Sequence, residues 1–158
     1  MVTIKSRIVE GGPVGVKERW KRTAPISIPT GEAVEAIIKV LRADERIKIA
    51  YLFGSRNREN HSPSSDFDIG LYTEGDFSWD DFISLNGALT GILHSDRLDL
   101  VWLNAADPVI SFEVICSGRV LFYAGADTLN DYELKSRKRF YDYSLYLTRH
   151  RKVTANGV

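Results

Sequence analysis

The sequence predicts an α/β (α+β) domain in which a mixed β-sheet is flanked by helices. Its 158 residues are 44% hydrophobic and 27% charged, a composition typical of a chain that buries a core. Short apolar runs typical of strands alternate with stretches whose apolar residues recur at helical spacing. The order helix–strand–strand–helix–strand–helix–strand–helix indicates a sheet with both parallel and antiparallel neighbours.

The first elements follow residues 1–29, a predicted N-terminal arm with two Gly- or Pro-containing places. We expect Thr30 to cap the first helix, because its hydroxyl can accept a backbone hydrogen bond. The apolar residues of this helix fall on one face: Val34, Ile37, Ile38 and Leu41. Residues 47–53 (IKIAYLF) and 66–72 (DFDIGLY) then predict two strands joined by a polar loop.

A capping pattern marks the second helix. Ser78 and Asp81 have the spacing of a capping box, which predicts a helix near residues 79–94. The alternating run that follows, residues 97–103 (RLDLVWL), predicts the third strand.

The last elements are marked by a cap, a proline and a glycine. Asp107 and Pro108 suit the N-cap and first turn of a helix, and Gly118 suits its end. Residues 119–123 predict a short strand, after which Thr128 is expected to open a long final helix.

These elements divide the chain into the arm, a main domain over residues 30–126 and a C-terminal helix over residues 127–158. Eight basic residues stand against sixteen acidic ones in residues 26–127, whereas both ends are basic. Such polarity favours a partner for the ends or self-complementary association. The N-terminus lacks a signal-peptide pattern, so we expect a cytoplasmic protein without a membrane span. The single cysteine, Cys116, lies in an apolar run and is expected to be buried.

Two aspartates, Asp66 and Asp68, stand one residue apart at the start of the second strand. Because side chains alternate along a strand, both carboxylates point to one face, whereas Phe67 points to the other. Carboxylates about 7 Å apart on one face repel each other unless a cation lies between them. Mg²⁺ prefers oxygen ligands and often joins carboxylates to substrate phosphates, so the pair predicts a magnesium site.

A third carboxylate, Asp99, lies in the third strand on the face opposite Leu98 and Leu100. A charge in an otherwise apolar strand needs a partner or a metal. If this strand pairs beside residues 66–72, Asp99 joins the same face as the other two aspartates. Three carboxylates could then hold two Mg²⁺ ions and activate a hydroxyl for in-line attack on a phosphate.

The turn Gly54-Ser55 is a candidate phosphate site. Glycine allows the backbone to approach a ligand closely, and successive N–H groups of a turn form an anion-binding nest. Ser55 adds a hydroxyl donor, and Arg56 and Arg58 can each bind phosphate oxygens in a forked geometry. A calcium loop is disfavoured, because the stretch lacks the alternating acids and downstream Glu of such a loop.

The chain resembles nucleotidyltransferases of the DNA polymerase beta type. The shared signature consists here of Gly54-Ser55, ten intervening residues, Asp66-Phe67-Asp68 and the later Asp99. The stretch SPSSDFDIGLY is similar to the small prokaryotic branch, the minimal nucleotidyltransferases. The resemblance runs from about residue 32 to residue 123 and implies the nucleotidyltransferase fold.

The resemblance also implies roles for these residues. Asp66 and Asp68 would bind two Mg²⁺ ions, one of which holds the triphosphate of ATP. Asp99 would complete the second ion and help to deprotonate the attacking hydroxyl, so that AMP is transferred and pyrophosphate leaves. The expected nucleotide-binding residues are Gly54, Ser55, Arg56, Arg58 and Ser65. Glu59 departs from the family pattern, in which glycine is usual at that place.

Minimal nucleotidyltransferases of this kind pair as antitoxins with a HEPN-type ribonuclease toxin and transfer AMP to a tyrosine of the toxin. The resemblance implies the same role and the same partner here. Two alternatives stay open: a non-catalytic antitoxin that acts by binding, and a nucleotidyltransferase of an antibiotic-like small molecule with its acceptor site across a homodimer. Direct nucleic-acid binding is not expected, because the sequence shows no pattern of aromatic stacking residues.

The final helix carries an apolar side and many basic residues. Leu134, Tyr141 and Leu145 fall on one side of the helix, with most basic residues elsewhere. Two interpretations stay open at this point. The helix could pack on the sheet with a solvated basic face, or it could dock an acidic or aromatic partner.

Overall fold

The computed structural model describes residues 26–58 and 65–155, with side chains to residue 151. The predicted arm therefore lies outside the described residues except for its last four positions. Glu59 also lies outside them. Within the described ranges, no helix combines the length and the apolar composition needed to cross a bilayer.

Four strands form one sheet in the spatial order β3-β2-β1-β4. The central strand β1 (Ile47–Phe53) is antiparallel to both β2 (Phe67–Thr73) and β4 (Arg119–Tyr123). The edge strand β3 (Leu98–Trp102) is parallel to β2. The predicted mixed sheet is therefore confirmed.

Helices cover both faces of this sheet. On one face lie α1 (Thr30–Arg42) and α2 (Trp79–Leu93), and on the other lie α3 (Pro108–Ser117) and α4 (Ala126–Ala155). Each face has its own apolar core. The core under α1 and α2 includes Ile37, Leu41, Leu52, Phe67, Ile69, Leu89 and Leu93. The core under α3 and α4 includes Ile49, Tyr51, Leu103, Val114, Ile115 and Tyr132.

Two of the predicted helix caps are confirmed. The Ser78 hydroxyl accepts a hydrogen bond from the Asp81 backbone N–H at 3.2 Å, and the Asp81 carboxylate accepts one from the Ser78 backbone N–H at 2.8 Å. Asp107 caps α3 by accepting from the backbone N–H groups of its second and third residues, and Gly118 ends that helix. These signals are local, which is why the sequence reveals them.

Two other cap predictions are wrong. Pro29 is the N-cap of α1, so Thr30 is already helical, and its hydroxyl accepts from Arg56 at 2.9 Å instead. The final helix begins at Ala126, which places Thr128 inside its first turn. In both cases the helix starts earlier than the cap residue predicts.

The predicted burial of Cys116 is also wrong, because the thiol is exposed. The residue lies on the outer face of α3, where its sulfur is 3.9 Å from an Arg137 guanidinium nitrogen. Val114 and Ile115 are the buried residues of this turn. The run VISFEVIC contains one charged residue, Glu113, and Cys116 follows it by three residues on the same exposed side of the helix.

Candidate active site

The parallel pairing of β2 and β3 sets Asp68 beside Asp99. The preceding pair, Phe67 and Leu98, packs into the core under α1 and α2. Because side chains alternate along each strand, the two aspartates point to the opposite face, the one covered by α3 and α4. Neighbouring strands lie about 4.8 Å apart, so the two carboxylates are near neighbours.

Gly54 brings the backbone turn directly against the Asp68 carboxylate. β1 ends at Phe53, which is the antiparallel partner of Asp68. Gly54 then adopts φ 69° and ψ −154°, a conformation that is open essentially to glycine alone. A Cβ built on Gly54 would overlap the Asp68 carboxylate. The structure thus places the predicted phosphate turn and one predicted metal ligand in contact.

The surroundings of Asp68 disfavour its negative charge. Burial, and next the carboxylates of Asp99 and Asp66, raise the pKa of Asp68 to about 6. A group in this state is stabilised in its charged form by a cation placed nearby. The electrostatics of the site therefore favour a positively charged ligand.

Asp66 is half-buried and directly precedes β2. Its charge acts on Asp68, so all three predicted carboxylates contribute to one acidic site. Among the described residues, however, no three acidic, histidine or cysteine side chains are arranged to share a single ion. The structure brings Asp68 and Asp99 together, and leaves Asp66 beside the pair.

The donor chemistry of this site nevertheless fits Mg²⁺. All three predicted ligands are carboxylates, which are the hard oxygen donors that Mg²⁺ prefers. Mg²⁺ commonly uses one or two carboxylates together with water and substrate phosphates. Asp68 and Asp99 satisfy that requirement on their own, with Asp66 near enough to affect the charge of Asp68.

The turn after Gly54 is fastened to α3. Residues Ser55–Asn57 form one turn of 3-10 helix, and the Asn57 side chain donates to the Ser117 carbonyl at 2.7 Å. Ser117 is the last residue of α3. The position of the turn is therefore fixed both by the end of β1 and by the end of α3. Ser55 itself is exposed at the start of the turn, where its hydroxyl can reach a ligand.

Arg56 corrects a sequence-based expectation. Its side chain is buried, and the guanidinium donates to the Ser65 carbonyl at 2.8 Å and to the Thr30 hydroxyl at 2.9 Å. It also lies 4.3 Å from the centre of the Phe67 ring. Arg56 therefore ties Ser65 to Thr30 from inside the fold. Its guanidinium is not placed to bind a phosphate. Ser65 is buried as well and serves as the carbonyl acceptor of Arg56.

Arg58 differs from Arg56 in its exposure. It follows the 3-10 turn, its backbone is extended, and its side chain is exposed. Of the two predicted arginines, Arg58 is therefore the one whose position suits a phosphate.

Sequence reasoning missed two charged residues at this site. Glu113 projects from α3, and its charge contributes to the raised pKa of Asp68. Arg97 is buried directly before β3, donates its backbone N–H to the Ser95 hydroxyl and accepts from the Phe67 backbone N–H. Arg97 directly precedes Leu98, the register partner of Phe67, and Asp66 directly precedes Phe67. Both could have been found from the sequence: Glu113 is a lone charge in the apolar run VISFEVIC, and Arg97 shares the strand alternation of Asp99.

The fold and this arrangement define a nucleotidyltransferase domain. The family model for polymerase beta, nucleotidyltransferase, matches residues 35–126, more than half of the chain. The chain therefore belongs to the polymerase beta nucleotidyltransferase family, as its signature predicts. No curated protein sequence matches the chain.

Solved structures share this fold. A chain from a crystal structure of a toxin-antitoxin with AMP-PNP is 25% identical, with a TM-score of 0.62 over 78% of this chain and 95% of that chain. A chain from the toxin-antitoxin MntA-HepT is 25% identical, with a TM-score of 0.59 over 80% of this chain and 97% of that one. A third chain comes from a tri-AMPylated Shewanella oneidensis HEPN toxin in complex with an MNT antitoxin. It is 24% identical, with a TM-score of 0.59 over 80% of this chain and 95% of that chain.

Proposed function

We propose that this protein is a Mg²⁺-dependent protein adenylyltransferase that transfers AMP from ATP to a hydroxyl of a partner protein. The observation that carries the proposal is the contact between the Gly54 turn and Asp68, with Asp99 beside it in the sheet. The Gly54 turn with the exposed Ser55 hydroxyl lies on one side of this site, and the carboxylates lie on the other. That combination suits a nucleoside triphosphate held through a metal ion.

In the proposed reaction, the acceptor oxygen attacks the α-phosphorus of ATP. A bond forms between that oxygen and the α-phosphorus, while the bond to the oxygen bridging to the β-phosphate breaks and pyrophosphate leaves. Asp99, at the exposed edge of the sheet, takes the hydroxyl proton. Gly54 and Ser55 orient the β- and γ-phosphates, and Arg58 binds the triphosphate from the loop.

Asp66, Asp68 and Asp99 would hold the magnesium ions, which neutralise charge on the triphosphate and lower the pKa of the acceptor hydroxyl. Asp68 is already destabilised in its charged form by burial and by its acidic neighbours. Its place against the Gly54 turn sets this carboxylate beside the backbone that would orient the phosphates. The fold thus fixes the distance between the carboxylates that would hold the metal and the turn that would hold the phosphates.

We propose a HEPN-type toxin as the partner and a tyrosine as the acceptor. Chains of similar fold come from toxin-antitoxin complexes, one of them with AMP-PNP and one with a tri-AMPylated HEPN toxin. The proposed donor is ATP, so the reaction needs a compartment that supplies it, and we place the protein in the cytoplasm.

The test uses the full chain, its HEPN partner and ATP labelled at the α-phosphate, with Mg²⁺. Label should appear on a tyrosine of the partner, and the double variant Asp66→Asn/Asp68→Asn should abolish it. Asp127→Asn, an exposed acid in the first turn of α4, is the matched control and should transfer label at the wild-type rate. An unlabelled partner, or a double variant that labels as well as the wild type, would refute the proposal.

The same experiment separates the binding-only alternative. If the double variant neutralises the toxin as fully as the wild type, occlusion of the toxin is sufficient and transfer is not the mechanism. Release of pyrophosphate with an alcohol-containing antibiotic and no protein partner would instead favour the small-molecule alternative.

A further inference from the structure

α4 packs on its own domain by one side and leaves the opposite side exposed. The packing side carries Tyr132, Ser136 and Phe140, and the Phe140 ring stacks on the Phe112 ring of α3 with 3.9 Å between the ring centroids. The opposite side of the helix forms an outer stripe, whose members are all exposed: Asp131, Leu134, Lys138, Tyr141, Leu145 and Arg149. The helix therefore packs on the domain, but not through the apolar side that the sequence indicates.

Three members of the outer stripe are apolar and stay accessible. Leu134 and Leu145 are 69% and 56% exposed. The Tyr141 ring lies edge-on to the Phe112 ring of the same chain, with 6.0 Å between the centroids, yet 58% of Tyr141 remains exposed. Single exposed apolar residues are ordinary on a protein surface, whereas several on one side of a helix mark an interaction surface.

The charges on this side of α4 follow one order along the helix. The N-terminal end is acidic, because Asp127 and Asp131 lie there, and the C-terminal end is basic, with Arg149. Between the two ends, Lys138 precedes Asp142. A second α4 in antiparallel orientation reverses this order, so that acids face bases at both ends and in the middle. A parallel copy would place like charges together, so the charge order selects an antiparallel second copy of this chain.

The apolar residues fit the same antiparallel arrangement. Leu134 and Lys138 are four positions apart, as are Tyr141 and Leu145. When Leu134 of one copy lies opposite Leu145 of the other, Lys138 therefore lies opposite Tyr141. Leucine then packs on leucine, and the lysine stem and ammonium lie against a tyrosine ring. Each contact occurs twice, because the two copies exchange roles.

The same register pairs opposite charges. Asp131 lies one position from the point opposite Arg149, and Asp142 lies one position from the point opposite Lys138. Lys135 lies two positions from the point opposite Asp142. These charged residues share one flank of the outer stripe, and a two-fold axis between antiparallel helices brings the same flank of each copy together. The register that joins the leucines is therefore also the register that joins acids to bases.

We propose that this protein forms a homodimer by antiparallel pairing of the outer stripes of α4. The contact extends from residue 131 to residue 149, or about 27 Å of helix. A two-fold axis relates the two identical surfaces, so the assembly closes as a dimer. The outer stripe faces away from α3, which leaves the two domains on opposite sides of the helix pair. α4 carries none of Gly54, Asp68 and Asp99, so the dimer and the proposed reaction can each fail without the other.

The first test is the molar mass of the full chain, measured by sedimentation velocity and light scattering over the micromolar range at low salt. The wild type should be a dimer. Arg149→Glu should raise the dissociation constant about tenfold or more, because the two-fold axis makes each reversed charge act twice, and Asp131→Arg should do the same. Asp131→Arg/Arg149→Glu should restore the dimer, since the two charges are then exchanged. Lys39→Glu reverses an exposed charge on α1 and is the control, and circular dichroism verifies that each variant folds.

The second test reports the register and uses a Cys116→Ser background, which removes the exposed native thiol. Leu134→Cys/Leu145→Cys should form disulfide-linked dimers under mild oxidation, because the two positions lie opposite each other in the proposed pair. Leu134→Cys alone should stay unlinked, since its two copies are eleven positions apart along the pair, about 16 Å. A parallel pair would link the single variant instead.

A monomeric wild type overturns the proposal, as does a dimer that neither charge reversal weakens. Disulfide linkage of the Leu134→Cys variant alone would show that the helices do not pair in the antiparallel register. If the stripe variants keep the wild-type mass but lose binding of the acceptor protein, the outer stripe belongs to that protein and the homodimer is wrong.

Discussion

Asp68 and Asp99 are register partners in the parallel pair β2–β3, and both face the side of the sheet covered by α3 and α4. They are 31 positions apart in the chain, so only the parallel pairing brings them together. Their positions differ in one respect: Asp68 is half-buried against the Gly54 turn, whereas Asp99 is exposed on the edge strand. That difference favours Asp68 as the residue that holds the nucleotide and Asp99 as the residue that faces the acceptor hydroxyl.

We expect Asp99→Asn to reduce transfer far more than it reduces nucleotide binding. Removing a proton acceptor typically costs about 10²–10⁴-fold in rate. Single-turnover transfer of labelled AMP measures the rate, and titration with a non-hydrolysable ATP analogue measures the affinity. Equal losses of rate and affinity would contradict the assignment of Asp99 to the acceptor side.

Gly54→Ala tests the close approach of the turn to Asp68. Alanine would need a positive φ and would place its Cβ on the Asp68 carboxylate. We expect a loss of about 1–3 kcal/mol in the free energy of unfolding and loss of nucleotide binding. Chemical denaturation and analogue titration measure the two effects.

Gly31→Ala is the control for this glycine. A Cβ at Gly31 meets nothing within 4 Å, and the residue lies in the first turn of α1. The free energy of unfolding of Gly31→Ala should differ from that of the wild type by no more than about 0.5 kcal/mol, and nucleotide binding should be unchanged. If Gly54→Ala behaves like Gly31→Ala, the turn does not constrain the site.

We expect variants of the two loop arginines to differ in their effects: Arg56 should contribute to the stability of the fold and Arg58 to nucleotide binding. Arg56→Lys loses the forked hydrogen bonds to Ser65 and Thr30, which should lower the free energy of unfolding by about 1–3 kcal/mol. Arg58→Lys keeps an exposed charge and should change stability by less than about 0.5 kcal/mol.

For nucleotide affinity the order should reverse. Arg58→Lys should weaken binding of the ATP analogue, because lysine lacks the forked guanidinium that binds two phosphate oxygens, whereas Arg56→Lys should leave the affinity nearly unchanged. Urea denaturation and titration of the same preparations measure both quantities. A strong effect of Arg58→Lys on stability, with none on affinity, would show that Arg58 is structural as well.

A pH dependence is expected from the cap of α2. Hydrogen bonds from Ser78, and next from Arg46, lower the pKa of Asp81 from 3.8 to about 2. Because the folded pKa lies below the unfolded value, the ionised carboxylate stabilises the fold above pH 4. That contribution is lost as the pH falls through about 2.

The stability difference between the wild type and Asp81→Asn should therefore be constant above pH 4 and shrink between pH 4 and pH 2. Thermal unfolding at fixed ionic strength measures it. Asp80→Asn, on the same helical turn, is the control and should show a smaller difference. A difference that grows on acidification would mean that the cap acts in some other way.

The parts of the site that the sequence predicts are those set by local geometry. Alternation along a strand places Asp66 and Asp68 on one side, and a glycine before a polar loop marks the turn. From the sequence, Asp99 joins Asp66 and Asp68 only if the third strand pairs beside the second. Strand order depends on contacts between distant segments, which the sequence does not show directly. The parallel register of β2 and β3 supplies that missing contact.

The parts that the sequence does not predict depend on distant packing. Whether Arg56 turns outward to phosphate or inward to the fold depends on Thr30, which is 26 residues away in the chain. The position of Glu113 near Asp68 depends on how α3 packs across the sheet. Cys116 is a different case, because its exposure follows from local spacing: it lies three residues after the charged Glu113, on the same side of the helix.

We propose that Asp68, held against the Gly54 turn, binds the nucleotide through a metal ion. Its most direct test is titration of the purified chain with a non-hydrolysable ATP analogue, with and without Mg²⁺. Binding should require Mg²⁺, and Asp68→Asn should weaken it by about 10–100-fold, whereas Asp127→Asn should bind as the wild type does. Equal affinity of Asp68→Asn and the wild type, or binding indifferent to Mg²⁺, would show that Asp68 does not hold the nucleotide through a metal ion.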